Sequence, residues 1–194
     1  MNSENWFLIP ISYDFLFNID NQKLKEYAYS LKNVCAGNIL SNEGGWQSKN
    51  LNFNENLEIN KLVTEIENRS LEVLKKYDLN KNYKTFVQNI WININKKGDF
   101  NIPHVHPGSF FSGVFYVNCN ENSGNIVFEN PSIGFEYFIA NNEIEKINNY
   151  NSGRMHHVPQ NNKLVIFPGY LNHYVEPNKN NEERISISFN IGTK

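Results

Sequence analysis

Cysteine is scarce in this chain: only Cys35 and Cys119 occur in 194 residues. One such pair makes neither a disulfide framework nor a cysteine metal motif, and it leads us to expect a reducing, cytoplasmic setting. Excess positive charge is missing as well. Lys and Arg number 18 against 20 Asp and Glu, a formal charge of −2, so the field that drives phosphate binding by counterion release is absent and nucleic acid is not expected as a partner. Long apolar runs are lacking too. None approaches the roughly 18–20 residues that cross a bilayer, so no membrane is expected. The run Trp6-Phe7-Leu8-Ile9-Pro10-Ile11 follows Glu4 rather than a basic residue and is interrupted at Pro10, Ser12 and Asp14. It reads as a first strand, not as a signal peptide.

Large rings are abundant, with 14 Phe, 10 Tyr and 3 Trp, and rings suit the pleated surface of a sheet. Asn fills turns and surfaces throughout, a compositional bias to which we attach no function. The length predicts a single domain, 1–194, that can bury roughly 70% of its unfolded surface without disulfides or a structural metal. A metal bound here would therefore be functional.

Two helices are predicted in the first half. Leu24, Tyr27, Ala28 and Leu31 repeat at helical spacing behind Asp20 as N-cap, and Leu62, Ile66, Arg69, Leu71 and Leu74 keep a similar face. The double glycine in residues 41–48 marks a loop between them. From about Tyr83 the pattern changes to eight short runs of period 2, at 85–95, 101–107, 111–118, 125–129, 135–139, 163–167, 173–176 and 184–191. The expected fold is mainly β with flanking N-terminal helices, a β-sandwich or jelly roll. Residues 1–82 would pack on a core formed by 83–194, with one sheet's outer face under the helices. The polar stretch 140–162 is the longest irregular segment and the candidate lid.

The sharpest chemical feature is Pro103-His104-Val105-His106-Pro107-Gly108-Ser109. In extended chain His104 and His106 share a face and can grip one metal ion; the alternative is an exposed pair before a turn. A third histidine, His173, follows Phe167-Pro168-Gly169. The last strand puts Arg184, Ser186 and Ser188 on one face and Ile185, Ile187 and Phe189 on the other. Arg184 offers a fork for a carboxylate and Ser186 a hydroxyl beside it; the alternative is a surface Arg next to Glu182 and Glu183. Tyr116 and Asn93 are candidates for ligand contacts, against a core tyrosine and an outer-face asparagine. Trp46 and Gln47 are candidates for a substrate wall, against an aromatic cover for the core. His156 and His157, adjacent in sequence, point opposite ways in extended chain and read as a surface pair.

His-x-His, a distal His and Arg-x-Ser in this order resemble the 2-oxoglutarate/Fe(II) oxygenases. More closely, the 103–109 motif with Ser112-Gly113-Val114-Phe115-Tyr116-Val117, Ser123-Gly124-Asn125-Ile126-Val127-Phe128, Phe167-Pro168, the 184–190 strand and Gly44-Gly45-Trp46-Gln47-Ser48 is similar to a family of such oxygenases from marine bacteria and phages. The resemblance covers most of the chain. It implies a double-stranded β-helix, cupin-like in form, with Fe(II) held by His104, His106 and His173. It also implies 2-oxoglutarate held through Arg184 and Ser186, with Tyr116 and Asn93 in reach. The reaction implied is oxidation, most simply hydroxylation, of a small-molecule or peptidyl substrate with release of succinate and CO2; a homodimer is admitted.

One position departs from the superfamily pattern, since His106 stands where a carboxylate is usual. Three neutral ligands leave the iron one unit more positive, which favours a dianionic cosubstrate and disfavours oxidation of the iron. Asp99 is the other acid to examine. Two rivals stand beside this reading. A three-His cupin-type dioxygenase shares Gly98 and His104-x-His106 but finds Phe110 and Phe111 where its Glu belongs, and gives Arg184 no task. A non-enzymatic jelly-roll binding module requires the three histidines and Arg184 to diverge in space.

Overall fold

A computed structural model describes residues 1–2, 7–79, 83–132 and 143–194. Capping and spacing account for both helices. Asp20 accepts the Lys23 amide at 3.2 Å and starts α1 (Asn21–Val34), which buries Leu24 and Ala28. Asn56 accepts the amides of Glu58 and Ile59 at 3.0 and 3.1 Å and starts α2 (Leu57–Lys75). The inward stripe of α2 is Ile59, Leu62, Val63, Ile66, Val73 and Leu74. Arg69 and Leu71, expected on that face, lie at its margin. Arg69 instead reaches Asp14 at 2.7 Å, tying α2 to the first strand.

The strands are β1 (Ser12–Phe15), β2 (Asn42–Glu43), β3 (Trp46–Gln47), β4 (Thr85–Asn95), β5 (Phe100–His104), β6 (Phe111–Asn118), β7 (Ile126–Glu129), β8 (Arg154–His157), β9 (Lys163–Pro168), β10 (His173–Val175) and β11 (Arg184–Thr193). They form two antiparallel sheets, ordered β1-β9-β6-β11-β4-β3 and β2-β5-β10-β7-β8. The fold is mainly β, a double-stranded β-helix with two helices against it. One core lies between helices and large sheet, where Leu24, Leu62 and Ile66 join Ile92, Ile187 and Phe189. A second holds Tyr116 and Val165 of the large sheet with Ile126 and Phe128 of the small one.

Several expectations are corrected. The first strand is Ser12–Phe15, opposite β9, rather than the more apolar run before it, of which Trp6 lies outside the described residues. The expected strand 135–139 also lies outside them, as do 140–142 of the expected lid. The rest of that lid is not wholly irregular: β8 pairs with β7 along Arg154–His157. Its Arg-Met-His-His sequence has no period-2 apolar signal, because an edge strand of exposed residues needs none. The 41–48 loop holds two-residue strands, one on each sheet.

The strand expected over 101–107 ends at His104. Pro103 and Pro107 bring no N–H to a ladder. Register does the rest: His173 faces His104 while Val175 faces Asn101, so β5 carries one residue more than β10 between these pairs. That bulge at Ile102–Pro103 turns both Asn101 and His104 toward the other sheet, which strict alternation forbids.

Candidate metal centre

The cleft face of the large sheet is built in rows by strand register. Asn95 lies opposite Arg184; Asn93, Ser186 and Tyr116 form the next row; Trp91, Ser188 and Val114 form the third. These residues line one cleft with His104, His106 and His173. From Trp91 to Asn95 the rows span about 13 Å. The Trp91 ring is 6.0 Å from that of His106, so the histidines lie toward one end and Arg184 toward the other.

The three histidines arrive by different routes. His104 and His173 are a directly opposed cross-strand pair, which places their side chains on one face at close range. His106 is carried by a turn whose backbone docks on the segment after β9, its amide donating to Gly169 O at 2.8 Å. A Cβ on Gly169 would stand 2.4 Å from Ser109 O, so only glycine permits this approach. One ligand nitrogen from each ring lies within 4.8 Å of the other two. Three ligands about 2.1 Å from one ion stand about 3.0–3.4 Å apart, so a shift of about 1 Å in the rings completes a site.

Hydrogen bonds select the ligand atoms. His104 Nδ1 is 2.7 Å from Ile102 O and His173 Nδ1 is 2.9 Å from Leu171 O. A carbonyl only accepts, so each Nδ1 carries the proton and each Nε2 keeps its lone pair for a metal. Burial favours the neutral imidazoles. Desolvation lowers the pKa of His104, takes His106 down to about 4, and with the neighbouring rings takes His173 down to about 3. Three neutral nitrogen donors suit a divalent transition metal, iron included.

Arg184 is 1% exposed. Its Nη1 donates to the carbonyls of Ser123, Gly124 and Glu176, and Gly124 makes room, since a Cβ there would stand 2.9 Å from Nη1. Among the described residues no carboxylate lies within 4.0 Å of this guanidinium. The neighbour Glu183 turns away to Tyr29 and Lys32, at 2.6 and 3.2 Å. Beside Arg184, Asn95 has a buried Oδ1 with no hydrogen-bond partner. Tyr116 is buried and its hydroxyl pKa is raised by desolvation. A buried cation with unused donors, next to a hydroxyl from Ser186, fits the carboxylate of a ligand such as 2-oxoglutarate.

Of the residues singled out in the sequence, His104, His106, His173, Arg184, Ser186, Tyr116 and Asn93 line the one cleft. Asn93 is buried rather than on an outer face, and donates to Ser188 Oγ at 3.0 Å. Trp46 does not belong there. It is in the helix-side core, with Nε1 donating to Cys35 O at 2.9 Å, because its partner Ile94 faces the helices. Gln47 pairs with Asn93 and is buried outside the cleft lining. Asp99 closes its own turn, accepting the Lys96 amide at 2.6 Å. His157 packs on Tyr13 and Phe128, at ring distances of 5.3 and 6.4 Å. Trp91, Asn95 and Asn101 were missed by the sequence reading. Trp91 and Asn95 were findable, since they flank Asn93 at a spacing of two; Asn101 depends on the bulge.

Three imidazoles and an arginine are gathered in one cleft inside a double-stranded β-helix, a donor set that suits a non-haem iron oxygenase using 2-oxoglutarate. Residues 89–190, more than half of the chain, match the family described as "Putative 2OG-Fe(II) oxygenase". The chain belongs to this family, whose cofactors are Fe(II) and 2-oxoglutarate. Its fold is similar to that of a prolyl-4-hydroxylase from Pseudomonas putida, at 14% identity, TM-score 0.59, and 93% and 91% of the two chains covered. It is also similar to HygX from Streptomyces hygroscopicus, solved with nickel and 2-oxoglutarate bound, at 8% identity, TM-score 0.60, and 94% and 82% covered. A 2OG-Fe(II) oxygenase family oxidoreductase from Burkholderia pseudomallei aligns at 15% identity and TM-score 0.50 over 71% of this chain. The aligned part is 57% of that longer protein. No curated protein matches the sequence. No helix among the described residues is long and apolar enough to cross a membrane.

Proposed function

We propose that this chain oxidises, most simply hydroxylates, a small-molecule or peptidyl substrate while converting 2-oxoglutarate to succinate and CO2. The observation that carries the reading is the buried Arg184, without a carboxylate partner among the described residues, in the same cleft as three converging histidines. Bound together, Fe(II) and 2-oxoglutarate supply the activation of dioxygen for two-electron oxidation of a C–H bond. His104, His106 and His173 hold the metal. Arg184 and Ser186 orient the distal carboxylate of the cosubstrate, with Tyr116 and Asn93 flanking it. Trp91 and Ser188, at the histidine end, wall the space where a substrate meets the metal.

The binding-module rival required the histidines to diverge, and they converge. The cupin rival leaves Arg184 without a task. In keeping with the proposal, residues 1–82 serve as packing for the 83–194 β-helix, supported by the core that α1 and α2 share with the large sheet. The free thiols of Cys35 and Cys119 suit a cytoplasmic setting. The test is iron-dependent turnover. The chain with Fe(II), ascorbate and a metabolite panel should convert 2-oxoglutarate to succinate, and His104→Ala should not. Succinate formation that ignores both iron and this substitution would end the reading.

A further inference from the structure

The cleft's own ionised groups add up to an imbalance. The three-histidine group contains no carboxylate, and among the described lining residues the one permanent charge is the positive Arg184. Nearby acids are held elsewhere. Asp99 accepts the Lys96 amide; Glu129 accepts Asn172 Nδ2 at 2.6 Å and pairs with Arg154 at 3.2 Å; Glu176 accepts the Asn125 amide at 3.1 Å. A divalent ion entering here meets a buried guanidinium and, among the described residues, no carboxylate in the cleft lining, in surroundings of low dielectric where such a charge is costly. Asp99 acts on Arg184 only from outside that lining. A 2-oxo dicarboxylate answers both cations at once.

We infer that His106 makes metal retention conditional on the cosubstrate: the centre is short of negative charge until 2-oxoglutarate binds, and the two ligands are coupled more strongly than an anionic residue at 106 would allow. This rests on the ligand assignments proposed above. Two ligands in contact are coupled in any case. The share due to His106 is the part that an acidic residue there removes, because it lowers the charge at the metal by one beforehand and weakens the attraction for the incoming carboxylates. By linkage, the factor by which 2-oxoglutarate tightens metal binding equals the factor by which metal tightens 2-oxoglutarate binding, so either titration reads it.

The experiment is calorimetric titration of Mn(II) into the full chain with and without saturating 2-oxoglutarate, repeated on His106→Asp and His106→Gln. His106→Asp should bind Mn(II) alone about tenfold more tightly than the unaltered chain, with a coupling factor about tenfold smaller. His106→Gln, neutral, should weaken metal and keep the coupling factor within about threefold. A coupling factor in His106→Asp within about threefold of the unaltered chain's overturns the inference. A second measurement needs no variant to fold: Mn(II) should be lost from the unaltered chain on gel filtration without 2-oxoglutarate and retained with it. Stoichiometric retention without it also overturns the inference. Failure of the underlying assignment looks different, because His173→Ala with saturating 2-oxoglutarate would then keep its metal.

Discussion

The two faces of the large sheet are both largely buried and chemically opposite. Toward the helices stand Ile90, Ile92, Ile94, Ile185, Ile187 and Phe189, none more than 1% exposed. Toward the small sheet, on the same strands, stand Asn93, Asn95, Arg184 and Ser186, none more than 7% exposed. The first set gains stability from burial, about 25 cal/mol for each Å² of apolar surface removed from water. The second includes a guanidinium with no carboxylate within 4.0 Å among the described residues and an Asn95 oxygen with no donor among them, groups that cost stability unless something else completes them. One face secures the fold, and the other, on the function proposed above, keeps its polar groups for ligands.

The comparison is broken most severely at the histidines. With 2-oxoglutarate present, where the unaltered chain retains its metal, His104→Ala and His173→Ala should each abolish stoichiometric metal while leaving the unfolding midpoint close to that of the metal-free parent, since the helix-side core is untouched. Metal content by mass spectrometry and a urea transition check this, and full occupancy in both variants would place the site elsewhere. Next comes Phe189→Ala, which opens a cavity on the other face. It should cost about 3–5 kcal/mol of unfolding free energy, read from the urea midpoint, without a specific loss of metal stoichiometry in the folded fraction.

Arg184→Met sharpens the contrast, because it removes a charge and keeps the volume. It should cost about 2–5 kcal/mol of 2-oxoglutarate binding to the Mn(II) form. The ligand-free protein should lose about 1–3 kcal/mol of stability, since the carbonyls of Ser123, Gly124 and Glu176 lose their donor while a poorly compensated buried charge is relieved. Unchanged affinity would remove the arginine from the cosubstrate site. The smallest effect is expected from Asn93→Ala, which removes the bond to Ser188 and should lower stability by about 1 kcal/mol. A loss as large as that of Phe189→Ala would show that the cleft face also carries the fold.

Much of this architecture was legible in the sequence where the cause is local. Asp20 and the Leu24–Ala28 spacing marked α1, and the alternation of Ile185, Ile187 and Phe189 with Arg184, Ser186 and Ser188 assigned the two faces of β11 correctly. The eye could not find β8, whose residues carry no alternation, nor the proper side for Trp46 and Asn93. Those depend on which neighbour each short strand meets: Ile94 for Trp46 and Ser186 for Asn93.

By itself, then, the sequence determined which residue types can bind metal and carboxylate, the strand parity of β11, and the family pattern of His-x-His, His and Arg-x-Ser. Tertiary structure alone decided that His104 and His173, 69 positions apart, are opposed across β5 and β10. It also decided that a bulge aims His104 inward, that Gly169 lets the His106 turn dock, and that Glu183 turns from Arg184 to Lys32 and Tyr29. The physical reason is range. Side-chain alternation and caps follow from bonds between neighbours, whereas register, bulges and the partners of a buried charge are settled only when distant strands meet.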